Sequence, residues 1–155
     1  MTRAKAAAIW LCLVALATVL NSLILFRYSR FIDLFVGLSF TQFIDAIFVG
    51  MQLEPPAAPW WYTALPALVF DMPFVLALLV LAAKVLRQRH RATQVSFWLY
   101  ATDTLVITIT FVASIAMHSP ASQIGWQSMT LIVHAIGLFI LFLASRASLS
   151  PQPAA

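Results

Sequence analysis

The chain has 155 residues, 63% of them hydrophobic and only 9% charged, with a formal net charge of +4 and a mean hydropathy of +0.95. Soluble domains carry about a quarter charged residues, so this composition excludes a water-soluble domain, and the positive charge marks membrane sidedness rather than a nucleic-acid partner. The single cysteine, Cys12, excludes an intrachain disulfide and a thiolate metal site.

Five near-unbroken apolar runs follow in chain order: Ala7 to Phe26, Phe31 to Gly50, Ala64 to Ala83, Val95 to Met117 and Gln127 to Ser145. Each has roughly the 20 residues that a helix needs to cross about 30 Å of hydrocarbon, and none alternates as a strand would. The first run follows Arg3 and Lys5 but is too long for a signal peptide and shows no small-x-small cleavage site. The second contains Asp33 and Asp45, yet about a dozen apolar side chains at roughly −0.3 to −0.6 kcal/mol each outweigh two aspartates at up to ~3 kcal/mol apiece. It is therefore expected to cross. The third run contains Asp71 between Pro66 and Pro73; Pro73 frees the carbonyl of Val69, within one turn of Asp71, either as a simple kink or as a group that helps bind a cation. In the fourth, Ser96, Tyr100, Asp103, Thr110 and Ser114 trace one polar stripe at helical spacing, and in the fifth Gln127, Thr130 and His134 do the same.

The expected fold is an all-α integral membrane bundle of five transmembrane helices. It divides into an amino-terminal helix with a short basic loop (1–30), a four-helix membrane domain (31–147) and a disordered Pro/Ala/Ser tail (148–155). The loop with Lys84, Arg87, Arg89 and Arg91 is expected on the cytoplasmic side. For the amino-terminal half the charge rule ties, because crossing or not crossing at Phe31 to Gly50 leaves seven basic residues inside and two outside. Apolarity of that run favours five spans with the amino terminus outside.

Depth counted from the run ends puts Asp45, Asp71 and His134 about 8 to 11 Å below the outer boundary, and Asp103 about 12 Å above the inner one. Ionisable groups inside a membrane face the bundle interior and are functional by default, with interhelical hydrogen bonding as the bland alternative. No cofactor is expected: one cysteine cannot hold a metal, and His118 and His134 lie at different depths, which argues against a shared haem. Trp60, Trp61, Tyr62 and Trp126 read as an outer aromatic belt.

Several short motifs resemble the emopamil-binding and sigma-two-receptor family, known as the EXPERA domain. They are Glu54-Pro55-Pro56-Ala57 with Trp60-Trp61, then Leu68-Val69-Phe70-Asp71-Met72-Pro73-Phe74, then Tyr100-Ala101-Thr102-Asp103-Thr104, and Phe43-Ile44-Asp45 late in the second run. The similarity covers Phe31 to Ser145. It departs from the family pattern at Ala67, where the second-helix carboxylate normally lies one turn before the position of Asp71, in a shorter outer loop, and in the lack of a proline in the last helix. The resemblance implies a four-helix unit holding a sterol-like or amine-bearing amphiphile in a buried cavity, and some members isomerise a sterol double bond.

The site expected on these grounds comprises Asp45, Asp71, Trp98, Tyr100, Asp103 and His134. A carboxylate would pair with a ligand amine. In the enzymatic version a protonated carboxyl would donate to an alkene, Trp98 or Tyr100 would stabilise the cation, and His134 or Asp103 would act as base. Whether the chain is an enzyme stays open. The expected partners are membrane lipids, that small molecule and, as a further option, a second copy of the chain. A proton-coupled carrier or channel and an accessory subunit of a larger complex remain the competing classes.

Overall fold

In the computed structural model, residues 2–28, 35–41 and 61–147 are described. They form four helices: α1 (Arg3–Tyr28), α2 (Trp61–Leu86), α3 (His90–Ala116) and α4 (Ala121–Ala147). All four are long and apolar enough to cross a membrane, and no strand occurs among the described residues. The chain is a multi-pass integral membrane protein with the all-helical bundle that its composition requires. Of the second apolar run only 35–41 is described; Asp45 and the Glu54 motif lie outside the described residues.

Helices that are apolar all round give lipid no preferred face, so small and polar residues decide which side turns inward. On α2 the buried positions are Asp71, Val75, Leu78, Ala82 and Val85, and on α4 Thr130, His134, Gly137, Leu141 and Ala144. Both sets step alternately by four and three, the spacing of one helix face. α3 buries Ala92, Thr93, Ser96, Tyr100, Asp103, Ile107 and Ser114; of the stripe expected from its sequence Thr110 is only half-buried, and Ile107 holds the inward position instead. α1 buries Ala7, Ala8, Leu11, Val14, Ala15, Thr18 and Ser22, and it is the most enclosed of the four spans. Leucines, valines and isoleucines such as Leu76, Val69, Ile109 and Ile132 cover the outside. Val69 and Pro73 are both exposed, so the carbonyl freed by Pro73 lies on the outer face of an uninterrupted helix rather than beside Asp71.

Each helix packs on two neighbours in the cyclic order α1, α2, α3, α4. The two tight reversals share one mechanism. Gln88 and His118 both adopt φ 55°, and the amides after them reach back, Arg89 N to Lys84 O at 3.1 Å and Ser119 N to Ser114 O at 2.9 Å. These are Schellman caps, which satisfy the last carbonyls of α2 and α3 and turn the chain within a few residues.

Those reversals make α2/α3 and α3/α4 antiparallel, and two contacts then fix the direction of α1. Trp10 packs edge-on to Tyr100 with centroids 6.2 Å apart, and its indole fills the space above Gly137. Ser22 bonds Asp71 at 2.6 Å. Measured at ~1.5 Å per residue from the end that carries the 87–89 loop, Tyr100 and Gly137 lie about 15 Å deep and Asp71 about 22 Å deep. Trp10 and Ser22 match these levels, at about 10 and 28 Å, when α1 starts at that end; reversed, both would miss by more than ~10 Å. The expectation that the amino terminus faces away from the basic loop is thereby corrected. Arg3 and Lys5 share an end with Lys84, Arg87, Arg89, Arg91 and Arg146, and Tyr28 of α1 and Trp61 of α2 lie at the other.

Sidedness is directly measurable. In a Cys12→Ser background, single cysteines at Lys5 and Gln88 are expected to react with a membrane-impermeant maleimide from the same side of sealed vesicles, and one at Gln123 from the opposite side. Labelling of positions 5 and 88 from different sides would refute the arrangement.

Candidate functional site

Residues 35–41 enter the bundle from the end opposite the basic loop. Phe35 stacks on Trp126 at 4.8 Å, Leu38 is fully buried, and helical residues begin at position 39. A helical turn starting among apolar side chains exposes amides that no water can reach, and each one left unpaired costs several kcal/mol in lipid. Leu38, at the capping position, has no side-chain oxygen. Asp103 of α3 supplies it from outside: Ser39 N donates to Oδ2 and Phe40 N to Oδ1, both at 3.0 Å. The preceding amide, Leu38 N, donates to Thr18 Oγ1 of α1 at 2.9 Å, and Thr41 Oγ1 donates to Leu38 O at 2.8 Å.

Gly37 permits this approach. A Cβ there would stand 2.7 Å from Asn21 Nδ2, 3.1 Å from Thr18 N and 3.2 Å from Ala17 C, two of them backbone atoms that cannot yield.

His134 closes the far side of Asp103. Its Nδ1 lies 3.7 Å from Oδ2 of Asp103 and 3.3 Å from Thr104 Oγ1, and its ring stacks on Tyr100 with centroids 4.8 Å apart. Because the Thr104 hydroxyl donates to Tyr100 O at 2.7 Å, its oxygen is left to accept from a proton on Nδ1, with the carboxylate at 3.7 Å beyond hydrogen-bond reach. Nε2 is buried and has no hydrogen-bond partner among the described residues.

Asp71 is a different kind of acid. Fully buried on α2, it uses Oδ2 on Ser22 Oγ, which also bonds Thr18 O at 3.1 Å, while Oδ1 has no hydrogen-bond partner among the described residues. Buried hydroxyls of the bundle bond largely within their own helices: Thr18, Ser96 and Thr130 each donate to the carbonyl four residues earlier.

Of the residues expected at the site, Tyr100, Asp103 and His134 meet directly. Asp71 stands apart from them but joins the same polar layer through Ser22, Thr18 and Leu38. Trp98 is not part of the layer. It is 68% exposed, about 140° round α3 from Asp103 at ~100° per residue, and touches Phe97 at the bundle surface. Asp45 lies outside the described residues. Sequence reading missed Thr18, Ser22 and the 37–40 turn; the 18/21/22 polar spacing in α1 was the available signal, whereas the partners across helices had none. Among the described residues no group of three metal-ligating side chains occurs. No family model, curated protein or solved structure compared with the chain matches it.

Two substitutions separate the two acids. Asp103→Asn presents one oxygen and one donor to two amides, and is expected to lower stability by about 1–3 kcal/mol. Asp71→Asn keeps an acceptor for Ser22 and should change stability by less than about 1 kcal/mol. Unfolding in a single detergent checks both, and equal effects would contradict the division of roles. Gly37→Ala is expected to cost about 1–3 kcal/mol by overpacking, read in the same assay.

Proposed function

We propose that this membrane protein binds an amphiphile with a sterol-like apolar body and an amine or hydroxyl head, and that the head pairs with Asp71. The observation that carries this reading is the uncommitted Oδ1 of a fully buried carboxyl. Leaving such an oxygen unpaired costs about 1–3 kcal/mol, which a ligand donor would recover. Asp103, by contrast, already accepts two amides and faces His134.

The surroundings of Asp71 support the same reading. Phe74, one turn along α2, packs edge-on to Phe40 at 4.6 Å and against Phe70 at 5.7 Å, and Phe70 is partly open to the bundle surface. Aromatic faces beside a carboxyl suit a cationic head on an apolar body, and an approach from the lipid side suits a ligand that partitions into the bilayer. The resemblance to the EXPERA family points to the same ligand class. Isomerisation would also require a base beside the Asp71 head site; Asp103 and His134, the two candidates, both stand apart from Asp71, so binding without turnover is the simpler proposal. A proton-coupled carrier fits less well, because among the described residues the path from Asp71 through Ser22 runs onto the backbone carbonyl of Thr18, which does not relay protons.

A radiolabelled cationic amphiphile should bind the full-length protein in detergent, and Asp71→Asn should weaken it at least tenfold, about 1.4 kcal/mol. Trp98→Ala should bind as wild type does. Unchanged affinity in a folded Asp71→Asn protein would reject the site.

A further inference from the structure

The direction of α1 gathers charge that the sequence leaves divided. Arg3 and Lys5 in the first turn of α1, Lys84 at the end of α2, Arg87 and Arg89 in the reversal, Arg91 in the first turn of α3 and Arg146 at the end of α4 all lie at one end of the bundle. All seven are exposed. The acidic residues among those described, Asp71 and Asp103, are buried near mid-depth, so no described carboxylate offsets this end. Two helices also start here without acids in their first turns, α1 and α3, and α3 has no side-chain cap on its first amides. Their partial positive ends add to the field.

We propose that this end of the bundle is a binding surface for anionic phospholipid headgroups of the leaflet it faces. A lipid rather than a soluble anion is indicated by where the charges sit. They terminate membrane-spanning helices, and the link from Leu86 to His90 is only a tight turn, which puts them at headgroup level. The Arg146 guanidinium lies back over the Phe142 ring, 4.8 Å from its centroid, on the partly exposed flank of α4, where an acyl chain and its phosphate would meet the helix. Arg87, Arg89 and Arg91 recur at alternate positions from the reversal into the first turn of α3, and α1, packed between α2 and α4, adds Arg3 and Lys5. Lipid phosphodiesters seated between neighbouring helix ends would relieve the mutual repulsion of these cations. This surface is independent of the Asp71 site, lying about 20 Å from it along the helix axes at ~1.5 Å per residue.

The test uses full-length protein reconstituted in nanodiscs of phosphatidylcholine alone or of equal parts phosphatidylcholine and phosphatidylglycerol. Lipids retained after detergent extraction are counted by native mass spectrometry, and thermal midpoints are recorded with added phosphatidylglycerol or inorganic phosphate. Wild type is expected to retain phosphatidylglycerol over phosphatidylcholine and to gain stability from it. The Arg87→Gln/Arg89→Gln/Arg91→Gln variant should lose affinity by about fivefold per cation, roughly a hundredfold in all. Arg3→Gln/Lys5→Gln should lose part of it, and this second variant keeps the test decisive if the first is unstable in phosphatidylcholine. Equal retention of the two lipids by wild type, wild-type retention by both variants, or equal stabilisation by inorganic phosphate would each overturn the proposal.

Discussion

The Asp103 carboxylate, holding the amides of Ser39 and Phe40 in the middle of the bundle, is the contact on which the arrangement depends. Hydrocarbon tolerates a turning backbone only where its polar groups are met from within the protein. A carboxylate can accept from two adjacent amides at once with both oxygens, which a neutral side chain at the same position cannot do. The rest of the buried layer is organised around that turn: Thr18 takes the next amide, Gly37 lets the chain lie against the backbone of α1, and His134 lies against the carboxylate on its other side. Three helices thus meet at one short segment, and α2 joins through Ser22 and Asp71.

Two aspartates on neighbouring helices have come to differ in role through their surroundings alone. Asp103 has its acceptor capacity largely filled by the protein, which makes it architecture. Asp71 has one oxygen filled by Ser22, while the other has no hydrogen-bond partner among the described residues. Buried hydroxyls such as Thr18, Ser96 and Thr130 do not blur this distinction, since each returns its proton to its own helix.

Much of the helical architecture could be read from composition and run length, and the inward faces of α3 and α4 from polar residues at helical spacing. The meeting of Asp103 with His134 could not be placed by depth counted from the edges of apolar runs, because those edges are not the helix ends. α3 begins at His90 and α4 at Ala121, so each residue is the fourteenth of a 27-residue helix, and midpoints of antiparallel helices coincide. Trp98 illustrates another limit. From sequence, it and Tyr100 are alternative aromatic faces for a cation, yet two residues along a helix face nearly opposite ways, and only Tyr100 is buried. The partners of Asp71 and Asp103, a serine on α1 and two backbone amides, carry no signal in a single sequence because they are chosen by packing between distant segments.

The direction of α1 shows how packing resolves what charge alone leaves tied. Counting basic residues gives seven against two for either topology, but Trp10 needs a surface without a side chain and finds it at Gly137, and Ser22 needs an acceptor and finds it at Asp71. These two contacts lie near opposite ends of one helix and agree on one direction. The same direction brings Arg3 and Lys5 to the other five cations, so the steric fit of an indole over a glycine in the core also determines the electrostatics of the surface.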